Sequence, residues 1–249
     1  MSHPWKRLSL KSNEENIDMF CFPYSGGTAQ VFLPFARSLP VSMGLYALEM
    51  PGRGRRFREN LPDSISSVVD EAIHGLIPLL DTKEYVLFGH SLGSLIAFET
   101  ARVLKGKGSH MPMHIFVSGA RSPQTPMRDE LIHYLPDDDF VNKLKKIGGT
   151  PQEVLQNKEM LELLIPMLRN DFRMYEVYKY EEDEPLGCPI TAIGGLQDKR
   201  VTSDDVEGWS VHTSVSFTKH MLNGDHFIIH THLKDIIDII INTLAHKFF

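Results

Sequence analysis

The sequence has few of the features that mark exported or membrane-inserted proteins. Only two of its 249 residues are cysteines, Cys21 and Cys188, and both lie in apolar surroundings. Two such thiols do not make a disulfide framework, so the cytoplasm is the expected compartment. No apolar run approaches the roughly 18–20 residues that span a bilayer, and the first residues contain no apolar segment of signal-peptide length. We therefore expect neither a membrane span nor export.

An excess of positive charge and the spacings of metal ligands are also missing. The chain carries 26 basic and 32 acidic residues, a net charge of −6, which argues against a nucleic-acid partner. Because no His, Cys, Asp or Glu residues have zinc-site spacing, we expect no metal. The 42% of apolar residues is enough for a substantial core. These values are compatible with one domain over residues 1–249.

Short apolar segments alternate with helical patterns along most of the chain. The segments are apolar nearly throughout, as expected for strands covered on both faces of a parallel sheet. The helical patterns, for example over 65–80 and 233–244, repeat apolar residues at i, i+3 and i+4. This alternation predicts an α/β fold with a mostly parallel central sheet and helices on both faces. The predicted strands are 17–22, 45–50, 85–89, 114–118, 190–194 and 215–221.

One interval, approximately 127–180, breaks the alternation. Its apolar residues have helical spacing, and it is too long for an ordinary connection between two strands. Because the strand pattern resumes at 190, we interpret the interval as a helical lid inserted over the sheet.

The stretch Gly89-His-Ser-Leu-Gly93 lies between a predicted strand and a predicted helix. In that context the pattern G-x-S-x-G is typical of a nucleophile elbow, which raises a serine hydroxyl above the carboxyl edge of the sheet. Glycines on both sides avoid collisions with the neighbouring backbone. The serine could instead be only a helix N-cap, but a cap does not require both glycines. The sequence therefore indicates Ser91 as a catalytic nucleophile.

A serine nucleophile needs a base, and the base needs a carboxylate that orients it. In this kind of fold the three groups follow in the order serine, acid, histidine. Asp198 comes after the strand predicted at 190–194, and His226 comes after the last predicted strand. Both loops lie at the sheet edge that carries Ser91, so these three residues are the predicted triad. Other carboxylates are expected beside the histidine, in the lid or at a helix start: Asp225, Asp171, Asp204 and Asp205.

The chemistry also requires an oxyanion hole. One donor is expected from the N–H of Leu92, directly after the nucleophile. The second is expected from the glycine-containing loop after the first predicted strand, and there we choose the N–H of Ser25. A phosphate-binding loop is the alternative for this segment, but the chain has neither a P-loop nor a Rossmann fingerprint.

With these residues identified, the sequence resembles the type II thioesterases, the stand-alone editing enzymes of nonribosomal peptide and polyketide synthesis. The resemblance covers nearly the whole chain, and several of its motifs are far more specific than G-x-S-x-G. They include Phe22-Pro-Tyr-Ser-Gly-Gly27, Pro51-Gly-Arg-Gly-Arg-Arg56, Leu135-Pro-Asp-Asp-Asp-Phe140, Leu168-Arg-Asn-Asp-Phe172 and Gly224-Asp-His-Phe227.

The resemblance implies an α/β-hydrolase fold with a mobile helical lid and a Ser-His-Asp triad. It also implies hydrolysis of acyl groups from the phosphopantetheine thiol of acyl or peptidyl carrier proteins, which removes misprimed or stalled acyl groups. The substrate carries the phosphopantetheine, so no cofactor is expected, and a monomer is favoured. Tyr24-Ser25 departs from the more usual His-Ala, which puts the pocket shape in question more than the catalysis.

Three matters stay open at this point. Met160, Leu164 and Met167, together with Tyr24, could line an acyl channel, but their spacing is also that of any packed helix. The arginines between 53 and 58 could dock an acidic carrier or could brace their own loop. The function could also be that of a medium-chain acyl-CoA or acyl-carrier thioesterase, of a general serine esterase, or of a hydrolase-fold binding module.

Overall fold

The computed structural model describes residues 3–10, 14–80, 84–149 and 152–245. Its strands are β1 (Trp5–Arg7), β2 (Ile17–Phe22), β3 (Met43–Leu48), β4 (Glu84–His90), β5 (His114–Ser118), β6 (Ile190–Gly195) and β7 (Phe217–Leu222). They form one sheet in the order β1-β3-β2-β4-β5-β6-β7. β1 pairs antiparallel with β3, and every other neighbouring pair is parallel.

The predicted α/β fold is confirmed, and all six predicted strands are present. The strand predicted at 45–50 begins and ends two residues earlier, as β3, and the strand predicted at 215–221 begins two residues later, as β7. The sequence did not indicate β1, which has only three residues and places Trp5 opposite Leu48 at the edge of the sheet.

Helices cover both faces of the sheet. The α-helices are α1 (Leu33–Ser38), α2 (Ile65–Leu76), α3 (Leu92–Gly106), α4 (Asp137–Ile147), α5 (Gln152–Gln156), α6 (Lys158–Glu176), α7 (Ser203–Glu207), α8 (Ile228–Thr231) and α9 (Leu233–Leu244). Short 3-10 helices lie at Ala29–Phe32, Gly54–Arg56, Ile77–Leu79 and Gly208–His212. One apolar core lies under α2 and α3, and a second lies under α1 and α9. Within the described residues, no helix combines the length and the apolar character needed to cross a bilayer.

The interval predicted as a lid contains α4, α5 and α6, which we call the cap. The cap has a small apolar core of its own, separate from the two cores of the sheet. Asn157 begins α6, where its side chain accepts a hydrogen bond from the N–H of Met160. α4 begins with three aspartates and ends with Lys145 and Lys146, an arrangement that stabilises the helix through its dipole. In the chain, the cap lies between β5 and β6. In the sheet, β5 is the direct neighbour of β4.

Candidate active site

Ser91 lies at a strained turn between β4 and α3. Its backbone has φ 54° and ψ −119°, and it is the one non-glycine residue with positive φ in the described part of the chain. A Cβ at Gly89 would lie 2.3 Å from the carbonyl oxygen of Gly93, and a Cβ at Gly93 would lie 2.0 Å from the carbonyl oxygen of Phe22. The flanking glycines are required because the strand, the helix and the end of β2 meet here without room for side chains.

The turn is held from the neighbouring strand β5. The N–H of Ser91 donates to the carbonyl of Ser118 over 2.8 Å. The buried hydroxyl of Ser94 lies 2.8 Å from the carbonyl oxygen of Gly89 and 3.0 Å from that of Ser118. Strained backbone persists where the surroundings fix it in this way. The Ser91 hydroxyl does not cap α3, so the alternative of a simple N-cap is not the arrangement found.

Three side chains from three loops form a hydrogen-bonded chain at the carboxyl edge of the sheet. Oγ of Ser91 lies 3.1 Å from Nε2 of His226, and Nδ1 of His226 lies 2.7 Å from Oδ2 of Asp198. Asp198 follows β6 and His226 follows β7, so the parallel strands bring together residues that are far apart in sequence. This geometry allows the imidazole to accept the serine proton while the carboxylate holds its other nitrogen.

The carboxylate of Asp198 is buried, but the protein supplies it with hydrogen-bond donors. Its side chain is 1% exposed, and Oδ1 accepts hydrogen bonds from the N–H groups of Arg200 (2.8 Å) and Val201 (3.2 Å). Burial opposes ionisation, but the hydrogen bond and charge of His226, with the two N–H groups, outweigh it and lower the pKa of Asp198. The carboxylate is thus ionised at neutral pH and can hold His226 in one orientation.

The other carboxylates considered as the acid have different partners. Asp225 accepts a hydrogen bond from the N–H of Phe227 (2.8 Å). Asp205 belongs to the capping box of α7, and Asp171 forms an ion pair with Arg53. Of these groups, only Asp198 contacts the ring of His226.

Ser25, whose N–H is the predicted second oxyanion donor, lies in the loop after β2. Ser25 lines the same cleft as Ser91, and Leu92 is the first residue of α3. Across the described ranges, the N–H groups of Ser25 and Leu92 have no hydrogen-bond partner, whereas that of Gly26 donates to Asp171 (2.7 Å). Two free donors near the serine are what a developing oxyanion requires. Their role in catalysis stays a prediction.

The cleft at Ser91 is narrow. Its cavity volume is about 30 Å³, room for about two water molecules. From the core it is lined by Tyr24, Ser25, Ser91, Arg200, His226 and Phe227. From the cap it is lined by Leu144, Ile147, Gly148, Gly149, Leu168, Phe172 and Tyr175. The cleft at Ser91 thus lies between the core and the cap.

The predicted pocket residues lie in different places. Tyr24 lines the cleft, and its hydroxyl lies 2.9 Å from Nε2 of His230. Met160 is 41% exposed, whereas Leu164 and Met167 pack within the cap core, and none of these three lines the cleft. On α6 the cleft is lined instead by residues nearer the carboxyl end of the helix, Leu168, Phe172 and Tyr175, which the spacing could not distinguish from their neighbours.

His90 is a site residue that the sequence reasoning missed. It is fully buried, and its Nδ1 lies 3.0 Å from the hydroxyl of Ser118. Burial, reinforced by the nearby charges of His226 and His230, lowers the pKa of His90 well below its usual value. His90 therefore stays neutral. Its ring packs against the imidazole of His226, with 5.5 Å between the ring centroids. Its position inside the G-x-S-x-G stretch was the available signal.

Of the four arginines between positions 53 and 58, two are buried and two are exposed. Arg53 is paired with Asp171, and Arg56 is paired with Glu59 and Glu71. Both guanidinium groups brace the loop after β3. Arg55 and Arg58 are exposed instead.

Residues 18–244 match the Thioesterase domain family. The match covers most of the chain, so the chain belongs to this family and is a serine thioesterase.

The relatives include proteins of nonribosomal peptide and polyketide pathways. Linear gramicidin dehydrogenase LgrE of Brevibacillus parabrevis is 42% identical over 96% of this chain and 92% of its own length. The structure of ClbQ from the colibactin pathway has a TM-score of 0.88 at 32% identity, over 93% of this chain and 98% of ClbQ. That of YbtT, the type II thioesterase of the yersiniabactin pathway, has a TM-score of 0.90 at 26% identity, over 99% of this chain and 100% of YbtT.

The name of LgrE denotes an oxidoreductase. The present chain has no dinucleotide-binding fingerprint in its sequence, whereas it has a serine elbow with a histidine and a carboxylate in hydrogen-bond contact. The assignment of this chain to the thioesterase family therefore rests on the domain match and on its own site, and the oxidoreductase name of LgrE is not carried over to it.

Proposed function

We propose that this protein hydrolyses acyl thioesters on the phosphopantetheine arm of acyl or peptidyl carrier proteins and so clears misprimed or stalled acyl groups from a synthase. The observation that supports this most is the hydrogen-bonded chain of Ser91, His226 and Asp198 at a cleft beneath a helical cap, in a chain of the thioesterase family. The similarity to proteins of nonribosomal peptide and polyketide pathways supports a carrier-bound substrate.

In the first half-reaction, Oγ of Ser91 attacks the thioester carbonyl while Nε2 of His226 accepts the serine proton. Asp198 stabilises the imidazolium that forms. The N–H groups of Leu92 and Ser25 donate to the tetrahedral oxyanion. The C–S bond then breaks, and the departing pantetheine thiolate takes the proton from His226.

In the second half-reaction, water attacks the acyl-serine ester. His226 removes a proton from this water, a second tetrahedral intermediate forms, and the bond between the acyl carbon and Oγ breaks. His226 returns the proton to Ser91, and the carboxylic acid leaves. The proton transfers use His226, which lies within hydrogen-bond distance of both Ser91 and Asp198.

The experiment that tests this function compares acetyl-phosphopantetheinyl carrier protein with acetyl-CoA at equal concentration. The Ser91→Ala variant gives the background for each substrate. We expect faster deacylation of the carrier than of the CoA thioester, with the variant inactive on both. Equal rates on both substrates would contradict carrier recognition and would favour a thioesterase that binds only the acyl-pantetheine arm.

A further inference from the structure

The loop over residues 23–28 contains Ser25, and we call it the oxyanion loop. It is attached to the cap through a buried ion pair. The carboxylate of Asp171, on α6, accepts a hydrogen bond from the N–H of Gly26 over 2.7 Å. The same carboxylate accepts a hydrogen bond from each terminal nitrogen of Arg53, Nη1 and Nη2, both over 2.8 Å. The side chains of Arg53 and Asp171 are 2% and 0% exposed. A bidentate pair of this kind has both strength and a fixed geometry.

Arg53 holds the same loop from its other side. Its Nη1 also donates to the carbonyl of Gly27 over 3.2 Å, so the loop is held through one N–H and one C=O. The contact between loop and helix is close as well, because a Cβ at Gly26, whose φ is +80°, would lie 2.5 Å from a methyl carbon of Leu168. We call the group formed by Gly26, Arg53 and Asp171 the latch.

We propose that Asp171 and Arg53 are positioning residues for catalysis. Through the latch they fix the position of the oxyanion loop relative to α6. The proposal rests on the proposed function. Asp171 occupies the N–H of Gly26 and thereby holds the peptide that follows Ser25. The N–H of Ser25 then stays unbonded and in place beside the nucleophile, ready for a substrate oxygen.

The latch also decides which part of the cap can move. Separating Asp171 from Arg53 would leave buried charges unpaired, which is strongly unfavourable. The part of α6 that contains Asp171 therefore stays seated on the oxyanion loop while the cleft opens.

The test uses Arg53→Lys with Arg56→Lys as a matched control. Arg56 lies in the same loop and is also 2% exposed, but its hydrogen bonds go to Glu49, Glu59 and Glu71 and none goes to the oxyanion loop. We measure kcat and KM on a p-nitrophenyl acyl ester, together with the Ki of an acyl trifluoromethyl ketone. The ketone forms a tetrahedral adduct with the serine, and this adduct requires the oxyanion donors.

For Arg53→Lys we expect kcat to fall about 10- to 100-fold with KM within about threefold, and the Ki of the ketone to rise in parallel. For Arg56→Lys we expect both values to stay within about threefold of wild type. Asp171→Asn, which can still accept from Gly26 but loses the paired charge, should resemble Arg53→Lys. Circular dichroism checks that each variant is folded under the assay conditions. If Arg53→Lys does not fold, Asp171→Asn is compared with Arg56→Lys instead.

Equal losses in the Arg53 and Arg56 variants would overturn the latch, because they would reflect stability alone. An unchanged Ki for the ketone in a variant with low kcat would overturn it as well. A wild-type protein that neither hydrolyses the ester nor binds the ketone would contradict the proposed function itself, and the catalytic role of the latch with it.

Discussion

Gly93 and Gly106 lie on the same helix, α3, but a Cβ would meet very different surroundings at the two positions. At Gly93 it would lie 2.0 Å from a backbone oxygen of Phe22, and at Gly106 it would meet nothing within 4 Å. We expect Gly93→Ala to lower the free energy of unfolding by about 2–3 kcal/mol and to remove most activity, because α3 and Ser91 must shift.

Gly106→Ala is the control, and it should raise the free energy of unfolding by about 0.5 kcal/mol because alanine loses less backbone entropy in a helix. Urea unfolding and thioester hydrolysis measure the two effects. A Gly93→Ala protein as stable and as active as wild type would show that the elbow tolerates a side chain, contrary to the account.

Asp198 and Asp225 both lie in loops at this edge, and of the two only Asp198 hydrogen-bonds to the ring of His226. We expect Asp198→Asn to lower kcat by about three orders of magnitude, because the amide neither fixes the imidazole nor stabilises the imidazolium. Asp225→Asn should change kcat by less than about threefold. Steady-state kinetics on an acyl thioester separate the two, and the reverse ranking would assign the acid to Asp225.

The contact of Ser91, Asp198 and His226 could be predicted from sequence, because the loops that follow neighbouring parallel strands meet at one edge of the sheet. The latch could not be predicted, since Arg53 and Asp171 are 118 positions apart and nothing in either local pattern points to the other. His90 was missed for a different reason. Its role comes from complete burial beside His226, and burial of a polar side chain in a turn leaves no periodic signal.

At the scale of elements, the cap forms one wall of the cleft at Ser91. Ile147, at the end of α4, lines the cleft, whereas Met160, on α6, lies outside it. We expect Ile147→Ala to raise the ratio of kcat/KM on a medium-chain thioester to that on an acetyl thioester about tenfold, because the cleft gains volume. Met160→Ala should leave this ratio unchanged. If Met160→Ala changed this ratio more than Ile147→Ala, Met160 would be assigned to the acyl channel, contrary to its position outside the cleft.

The elements themselves were predictable to different degrees. The central strands are apolar nearly throughout because both faces are covered, so their sequence is distinctive. β1 is not distinctive, because three residues at a sheet edge carry too little pattern and its pairing is antiparallel. Which turn of α6 faces the cleft depends on how the helix is seated on the core, and helical spacing alone does not contain that information.

At the scale of the whole molecule, buried neutral histidines make stability depend on pH. Burial is the first cause of a lowered pKa at His90 and His212, which are 0% and 4% exposed. For His212 the pKa falls from 6.5 to about 4. Between these values the unfolded chain binds more protons than the folded chain, so the free energy of unfolding rises with pH. The stability is complete above pH 6.5 and is lost progressively as the pH falls towards 4.

We therefore expect a lower urea midpoint at about pH 5 than at about pH 7.5. Asp198 does not contribute in this window, since a carboxyl with a lowered pKa loses its stabilising effect only below its usual value of 3.8. A midpoint that stays constant or rises on acidification from 7.5 to 5 would contradict the neutral, buried state of these histidines.

The most direct test of the whole account is the value of kcat/KM for Ser91→Ala on an acyl N-acetylcysteamine thioester, measured beside wild type with both proteins shown to be folded. Oγ of Ser91 is the atom that attacks, and alanine removes it while leaving the cleft and the oxyanion donors in place. We predict a loss of at least about three orders of magnitude. A variant within about tenfold of wild type would show that the thioester is cleaved without this serine.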